Sequence, residues 1–165
     1  AASVFSLSIC SDNFISILFF ANCNKPNTEV MELVELLKTE KIIASYFQGN
    51  KISVLLDEVD QSNNYQNLLK IATDEDLIYL TDNEYPIIRC IAFKGLNSRN
   101  NTRIREILYN HKNDNSEVEC SNGACLTNQI KVKEFMLEQL NPETTSKYRF
   151  SLEKFDSITK IYEKE

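Results

Sequence analysis

Glycine and proline are scarce in this sequence, and this scarcity constrains the fold more than any other feature. Only 3 Gly and 3 Pro occur among 165 residues. A β-sandwich or barrel needs a turn signal about every ten residues, and these two residues supply most such signals. Helices joined by short polar connections need far fewer. Hydrophobic residues make up 42% of the chain, enough to bury a core. The sequence therefore predicts an all-α protein.

Apolar residues recur at helical rather than alternating spacing from Thr28 onward. The length suits one domain, which we place over 24–165. The small residues Ala92 and Gly95 would let a neighbouring helix approach closely. The spacing predicts helices over 28–37, 41–48, 65–72, 74–80, 86–96, 102–109, 129–140 and 150–163, a further apolar element over 52–59, and a polar loop over 113–128.

The clearest helical pattern begins at Pro86. Proline is well tolerated in the first turn of a helix, and Ile88, Ala92 and Leu96 follow on one face, four residues apart. With Arg89, these residues resemble a HEAT-like repeat, whose helices run Pro, aliphatic, Arg, two residues, Ala, then Leu. The resemblance implies a HEAT-like α-solenoid of stacked antiparallel helix pairs, because a lone pair cannot bury both its faces.

The most apolar run in the sequence is residues 14–21, and a polar stretch follows it at once. A membrane-spanning helix needs roughly twenty residues, so the run is too short to span, but its length matches the apolar part of a secretory signal. With Ala21 and Cys23 it resembles a bacterial lipoprotein signal, although Asn22 stands directly before the cysteine. The resemblance implies that Cys23 is lipidated and that residues 1–23 are an export segment or a disordered N-terminus.

Two features of the N-terminal region depart from a complete signal. No Lys or Arg precedes Lys25, and no Met precedes Met31. We therefore expect that residues 1–12 are not the native beginning of the protein. The export interpretation places the protein in a bacterial cell envelope, in the periplasm or as an outer-membrane lipoprotein. If residues 14–21 are instead an ordinary core helix or strand, the protein is cytoplasmic.

The charge distribution bears on the class of partner. The chain has 18 Lys+Arg against 24 Asp+Glu, a formal net charge of -6. Its basic residues are spread along the sequence, whereas a nucleic-acid-binding protein clusters them to displace counterions from phosphates. The sequence therefore predicts no nucleic-acid partner, and contact with a membrane only through the lipid on Cys23.

Three of the five cysteines lie beyond the export segment. Cys90 sits among core positions of the HEAT-like helix and is expected to be a small buried hydrophobic residue. Cys120 and Cys125 flank the turn-forming pair Asn122-Gly123 and are predicted to form a disulfide in an oxidising compartment. There are two alternatives. The two thiols could be unpaired, or they could form a metal site with His111 and Cys90, although no second close pair of ligands supports this.

Motifs for catalysis are missing from the sequence. His111 is the one histidine, no Gly-x-Ser-x-Gly elbow occurs, and no glycine-rich phosphate loop is present. A Ser or Cys nucleophile would have to recruit His111 and a carboxylate such as Asp114 through the tertiary structure. We therefore predict a protein without enzymatic activity, cofactor or bound metal.

The prediction that remains is a non-catalytic scaffold that binds a protein partner in the envelope. An inhibitor or immunity-type protein would belong to the same binding class. The alternative from another class is a small envelope enzyme or metal-dependent module that uses His111 and the loop of Cys120 and Cys125. The face predicted to meet the partner comprises Arg89, Lys94, Arg99, Arg103 and the 120–125 loop.

Overall fold

The computed structural model describes residues 25–38, 42–43, 47–48, 51–52, 63–121 and 127–163. Its helices are α1 (Thr28–Leu37), α2 (Asn63–Ile71), α3 (Asp74–Leu80), α4 (Pro86–Ser98), α5 (Ile104–Asn110), α6 (Val132–Glu138) and α7 (Leu152–Tyr162). Its strands are β1 (Ile42–Ile43), β2 (Phe47–Gln48), β3 (Lys51–Ile52), β4 (Glu117–Ser121) and β5 (Thr127–Lys131). The expectation of an all-α protein is confirmed in part, because the described chain is mostly helical but also contains strands.

Side-chain caps fix where three of the helices begin. The Asn27 side chain accepts a hydrogen bond of 2.9 Å from the backbone N–H of Val30, so α1 is capped one residue before Thr28. Thr73 and Asp76 form a reciprocal capping box at the start of α3. Ser151 caps α7 in the same way as Asn27 caps α1. These polar side chains satisfy backbone donors that a helix leaves unpaired.

The prediction of a polar loop over 113–128 is wrong, because β4 and β5 form an antiparallel hairpin running from Glu117 opposite Lys131 to Ser121 opposite Thr127. Val118 is buried while Glu117 and Glu119 are exposed, the alternation of a strand with one face on the core. The helix predicted to begin at residue 129 accordingly begins later, at Val132.

The prediction of a helix over 41–48 is also wrong. The described residues there are strands: β1 pairs in parallel with β4, and β2 pairs with β3. Consecutive apolar residues such as Ile42 and Ile43 suit either structure, and β-branched residues favour a strand when a partner strand is available. Most of the apolar element predicted over 52–59 lies outside the described residues, as does the N-terminal segment with Cys23.

Helix α4 lies at the centre of the described core and packs against α1, α3, α5, α6 and β4. Ile88, Ala92 and Leu96 are fully buried, as their spacing predicted. A Cβ atom built on Gly95 would lie 2.8 Å from Leu69 Cδ2 and 3.2 Å from Leu77 Cδ1. The expectation that a small residue there permits close helix approach is confirmed.

Helix α7 closes one side of this core. Phe155, Ile158 and Tyr162 are buried as predicted, whereas Leu152, expected to face inward, is 59% exposed. Leu152 is the first residue of the helix, directly after its Ser151 cap. Among the described helices, none combines the length and the apolar character needed to cross a bilayer.

Candidate functional site

An open groove with a volume of about 460 Å³ runs between α1 and α2. Two adjacent helices pack their apolar faces together and leave a furrow along the outer side of the contact. The base of this furrow is apolar and both rims are polar. The lining residues are Glu29, Glu32, Leu33 and Leu36 from α1, and Asn67, Lys70 and Ile71 from α2.

The groove arises because α1 carries apolar residues on more than one face. Val30, Val34 and Leu37 are fully buried against the core. Leu33 and Leu36 lie on the adjacent face of the helix, three residues apart, and Leu36 is 54% exposed.

The two rims of the groove differ in charge. Glu29 and Glu32 project from α1, and Lys70 from α2; all three are exposed. Within the described ranges, none of the three takes part in an ion pair. The groove therefore presents an acidic rim and a basic rim whose charges are not neutralised by any other described residue.

Arg89, predicted to face a partner, is an internal residue. Its Nε lies 2.8 Å from Asp114 Oδ2 as an ion pair without hydrogen-bond alignment, and its Nη2 donates to Oδ1 at 3.1 Å. Its Nη1 donates to the Asn83 carbonyl at 2.7 Å. Burial raises the pKa of Asp114, but hydrogen bonds from Ser116 and Arg89 outweigh it and hold that pKa below its usual value.

Arg99 is likewise engaged inside the molecule. Its Nη1 lies 2.9 Å from Asp74 Oδ1, and its Nη2 donates to the carbonyl oxygens of Leu69 and Ala72. The Leu69 carbonyl lies in the last turn of α2, the Ala72 carbonyl directly follows that helix, and Asp74 is the first residue of α3. The hydrogen bond from Arg99 lowers the pKa of Asp74. Arg99 therefore joins the α2–α3 junction to the end of α4.

The other two residues of the predicted face lie in different surroundings. Lys94 is half-buried on α4, and burial lowers the pKa of its amine to about 8. Arg103 lies at the surface in an ion pair of 3.2 Å with Glu106. Because Arg89 and Lys94 are five residues apart on one helix, they project from different sides of it. The structure thus does not gather the four residues into one surface.

His111 and Asp114 are neighbours. They are the histidine and the carboxylate that a Ser or Cys nucleophile would have to recruit. His111 is the C-cap of α5, its Nδ1 lies 3.5 Å from Asp114 Oδ2, and its Nε2 lies 3.4 Å from Asp82 Oδ1. In the part of the chain that the structure describes, no group of three His, Cys, Asp or Glu side chains could hold a metal ion. Cys90 is buried, as expected.

The predicted Cys120–Cys125 disulfide falls outside the described residues, since residues 122–126 are not among them. The backbone of Cys120 belongs to β4 and pairs with Asn128. One end of the predicted disulfide therefore lies on a strand rather than in a polar loop.

Comparisons with protein-family models, with curated proteins and with solved structures gave no significant match. The function of the chain has to be inferred from its own residues and contacts.

Proposed function

We propose that this chain is a non-catalytic scaffold that binds a protein partner in the groove between α1 and α2. The observation that carries the proposal is the exposed apolar base of the groove, centred on Leu36 and continued by Leu33 and Ile71. Covering such a surface removes apolar area from water, and this contributes a favourable free energy of about 25 cal/mol per Å². Polar rims around an apolar base are the usual arrangement of a protein-binding surface.

This proposal moves the partner surface away from α4. The guanidinium groups of Arg89 and Arg99 form hydrogen bonds inside the molecule, so neither charge is available to bind a partner. Arg103 is only partly exposed and is already paired with Glu106. Glu29, Glu32 and Lys70, on the rims of the α1–α2 groove, are exposed and form no ion pair with another described residue.

Two further elements belong to the proposal. The first is HEAT-like stacking of the helix pairs, supported by the buried face of Ile88, Ala92 and Leu96 on α4. The second is attachment to a bacterial envelope by a lipid on Cys23, supported by the apolar run over 14–21.

The lipidation proposal predicts a labelling result. In a bacterial host supplied with an alkynyl fatty acid, the full chain should incorporate the label, and Cys23→Ser should abolish it. Cys10→Ser is the matched control and should leave labelling intact. Mass spectrometry of the processed chain should then find the lipid at an N-terminal Cys23. Equal labelling of the Cys23→Ser variant would contradict the proposal.

The groove proposal predicts site-specific cross-linking. A benzophenone amino acid placed at Leu36 should form a discrete adduct with a protein of the source cell on irradiation. The same amino acid at Leu152, exposed on α7 to a similar degree, is the matched control. A partner held in the groove reaches the first position and not the second. No adduct at position 36, or the same adduct at both positions, would refute the docking site.

A small envelope enzyme remains the second candidate, favoured by the 3.5 Å approach of His111 to Asp114. A carboxylate on Nδ1 orients an imidazole whose Nε2 then acts as general base. Here Asp114 is shared with Arg89, and Nε2 faces Asp82. Hydrolysis of a model ester that is lost on His111→Gln would favour this candidate over a scaffold.

A further inference from the structure

We infer that the occupant of the α1–α2 groove is an amphipathic helix of a partner protein, with Lys or Arg along the edge that meets α1. The inference rests on the proposed docking function and adds the chemistry of the partner to it. Three features of the groove support it: the backbone groups at its walls, the spacing of its lining residues, and the charges on its rims.

The walls of the groove favour a helical occupant over an extended one. Every described residue that lines the groove belongs to α1 or α2, so no described strand edge borders it. The backbone groups in the middle of these helices are already paired within each helix. An extended segment would bury its own N–H and C=O groups against them without partners, which is costly. A helix satisfies its backbone internally and avoids this cost.

The spacing of the lining residues suits the ridges of a third helix. Leu33 and Leu36 are three residues apart on α1, and Asn67 and Ile71 are four apart on α2. Rows with these spacings form the grooves into which side chains of a packed helix fit. The lining of α1 spans about 10 Å, roughly two helical turns. An apolar stripe of two to three turns would therefore cover the exposed part of Leu36.

The rims determine the charge of the occupant and its orientation. Glu29 and Glu32 make the α1 rim acidic, and Lys70 makes the α2 rim basic. Glu29 also lies in the first turn of α1, where the helix dipole favours a carboxylate. Glu32 lies beyond that turn and has no such role. Basic residues of the partner helix are attracted to α1 and repelled by Lys70 on α2. The basic edge of the partner helix therefore lies against α1, and its opposite edge lies against α2.

The probe for this inference is a synthetic, end-capped and fluorescently labelled peptide helix of Leu, Ala, Lys and Gln. Its leucines form one stripe, with lysines along one edge and glutamines along the other. Two matched peptides differ from it in one respect: the first has Glu in place of each Lys, and the second has a central Pro that breaks the helix. Fluorescence anisotropy with the full chain measures binding.

We expect the Lys peptide to bind at least about tenfold more tightly than the Glu peptide at low salt, with the gap narrowing as salt is added. Leu36→Asp should weaken the Lys peptide roughly tenfold, and Glu32→Lys roughly fivefold. Leu152→Asp and Glu153→Lys on α7 are the matched controls, with the same changes at exposed positions away from the groove. Both should leave the affinity within about twofold of the parent chain.

Several results would overturn the inference. They are equal binding of the Lys and Glu peptides, equal binding of the Pro peptide, or equal losses in the α7 controls. If light scattering finds the parent chain dimeric and the Leu36→Asp variant monomeric, the occupant is a second copy of the chain instead. If cross-linking at position 36 succeeds and the Lys peptide does not bind, docking stands and the basic helix is wrong. If cross-linking also fails, the docking function itself is wrong.

Discussion

Replacing Asp114 with Asn is expected to lower the free energy of unfolding by about 3–5 kcal/mol. The side chains of Arg89 and Asp114 are only 10% and 12% exposed, so the ion pair is largely shielded from water. The substitution leaves the guanidinium buried without a negative partner, which is the costly way to break such a pair. Urea titration followed by circular dichroism would measure the loss. The exposed Asp156→Asn is the matched control and should change stability by less than about 0.5 kcal/mol.

The dependence of this effect on pH gives an independent check. Because the pKa of Asp114 in the folded protein is below its ordinary value of 3.8, its contribution to stability is complete above pH 3.8. The contribution is lost as the pH falls below 3.8 through the lower folded pKa. The difference in the free energy of unfolding between the parent chain and the Asp114→Asn variant should therefore become smaller in that pH range. A gap that stays constant into strong acid would show that the carboxylate charge is not responsible.

A double variant separates the ion pair from the packing. Arg89→Met with Asp114→Asn removes the buried cation together with its partner. Its loss of stability should be clearly smaller than the sum of the losses in the two single variants, because the pair is coupled. Additive losses would mean that the two side chains stabilise the fold independently.

Replacing Lys94 with Met is expected to stabilise the protein at pH 7. Burial lowers the pKa of Lys94 to about 8 from the ordinary value of 10.5, so folding disfavours its charged form. Each pKa unit corresponds to about 1.4 kcal/mol, which puts the cost at pH 7 on the order of 3 kcal/mol. Methionine has a similar length and no charge. A gain of about 1–3 kcal/mol is therefore expected, since the lysine stem already packs.

The gain should shrink as the pH rises. Between pH 8 and 10.5 the unfolded chain keeps the Lys94 proton that the folded protein has lost, so the parent chain becomes more stable with pH. Urea titrations at pH 7 and near pH 10 would compare the two proteins. Lys112→Met, at an exposed position, is the control and should show no such trend. A Lys94→Met variant that is less stable than its parent at pH 7 would refute this account.

Local patterns in the sequence predicted several of the helices closely. The ranges expected for α3, α4 and α7 agree with the structure within one or two residues. The reason is that a 3.6-residue apolar period, a cap and a following break all lie within one short segment. In the pattern that begins at Pro86, Gly95 also marked a close helix contact.

The β4–β5 hairpin was missed although a signal for it exists. Val118 alternates with Glu117 and Glu119, and Asn122-Gly123 is a pair that favours hairpin turns. The strand pattern is only a few residues long, and its polar residues resemble a loop. The parallel pairing of β1 with β4 has no local signal, because the partner strands are far apart in the sequence.

The surroundings of charged side chains were decided only by the tertiary structure. Arg89 looks like a surface residue in the sequence, yet its partner Asp114 lies 25 residues away in the chain. Lys133 is fully buried, and its ammonium group lies 5.2 Å from the centre of the Tyr162 ring on α7. Each position depends on which elements pack together, and no short-range pattern encodes this.

By itself, the sequence determined the helical character of the chain, because scarce Gly and Pro and a helical apolar period act within each segment. It also predicted a helix over 28–37 but assigned no role to Leu33 and Leu36. Only the packing of α1 against α2 decided that these leucines form the base of an open groove with Glu32 on its rim. The physical reason is that a periodicity specifies an apolar face, while the neighbouring helix decides how much of that face is covered.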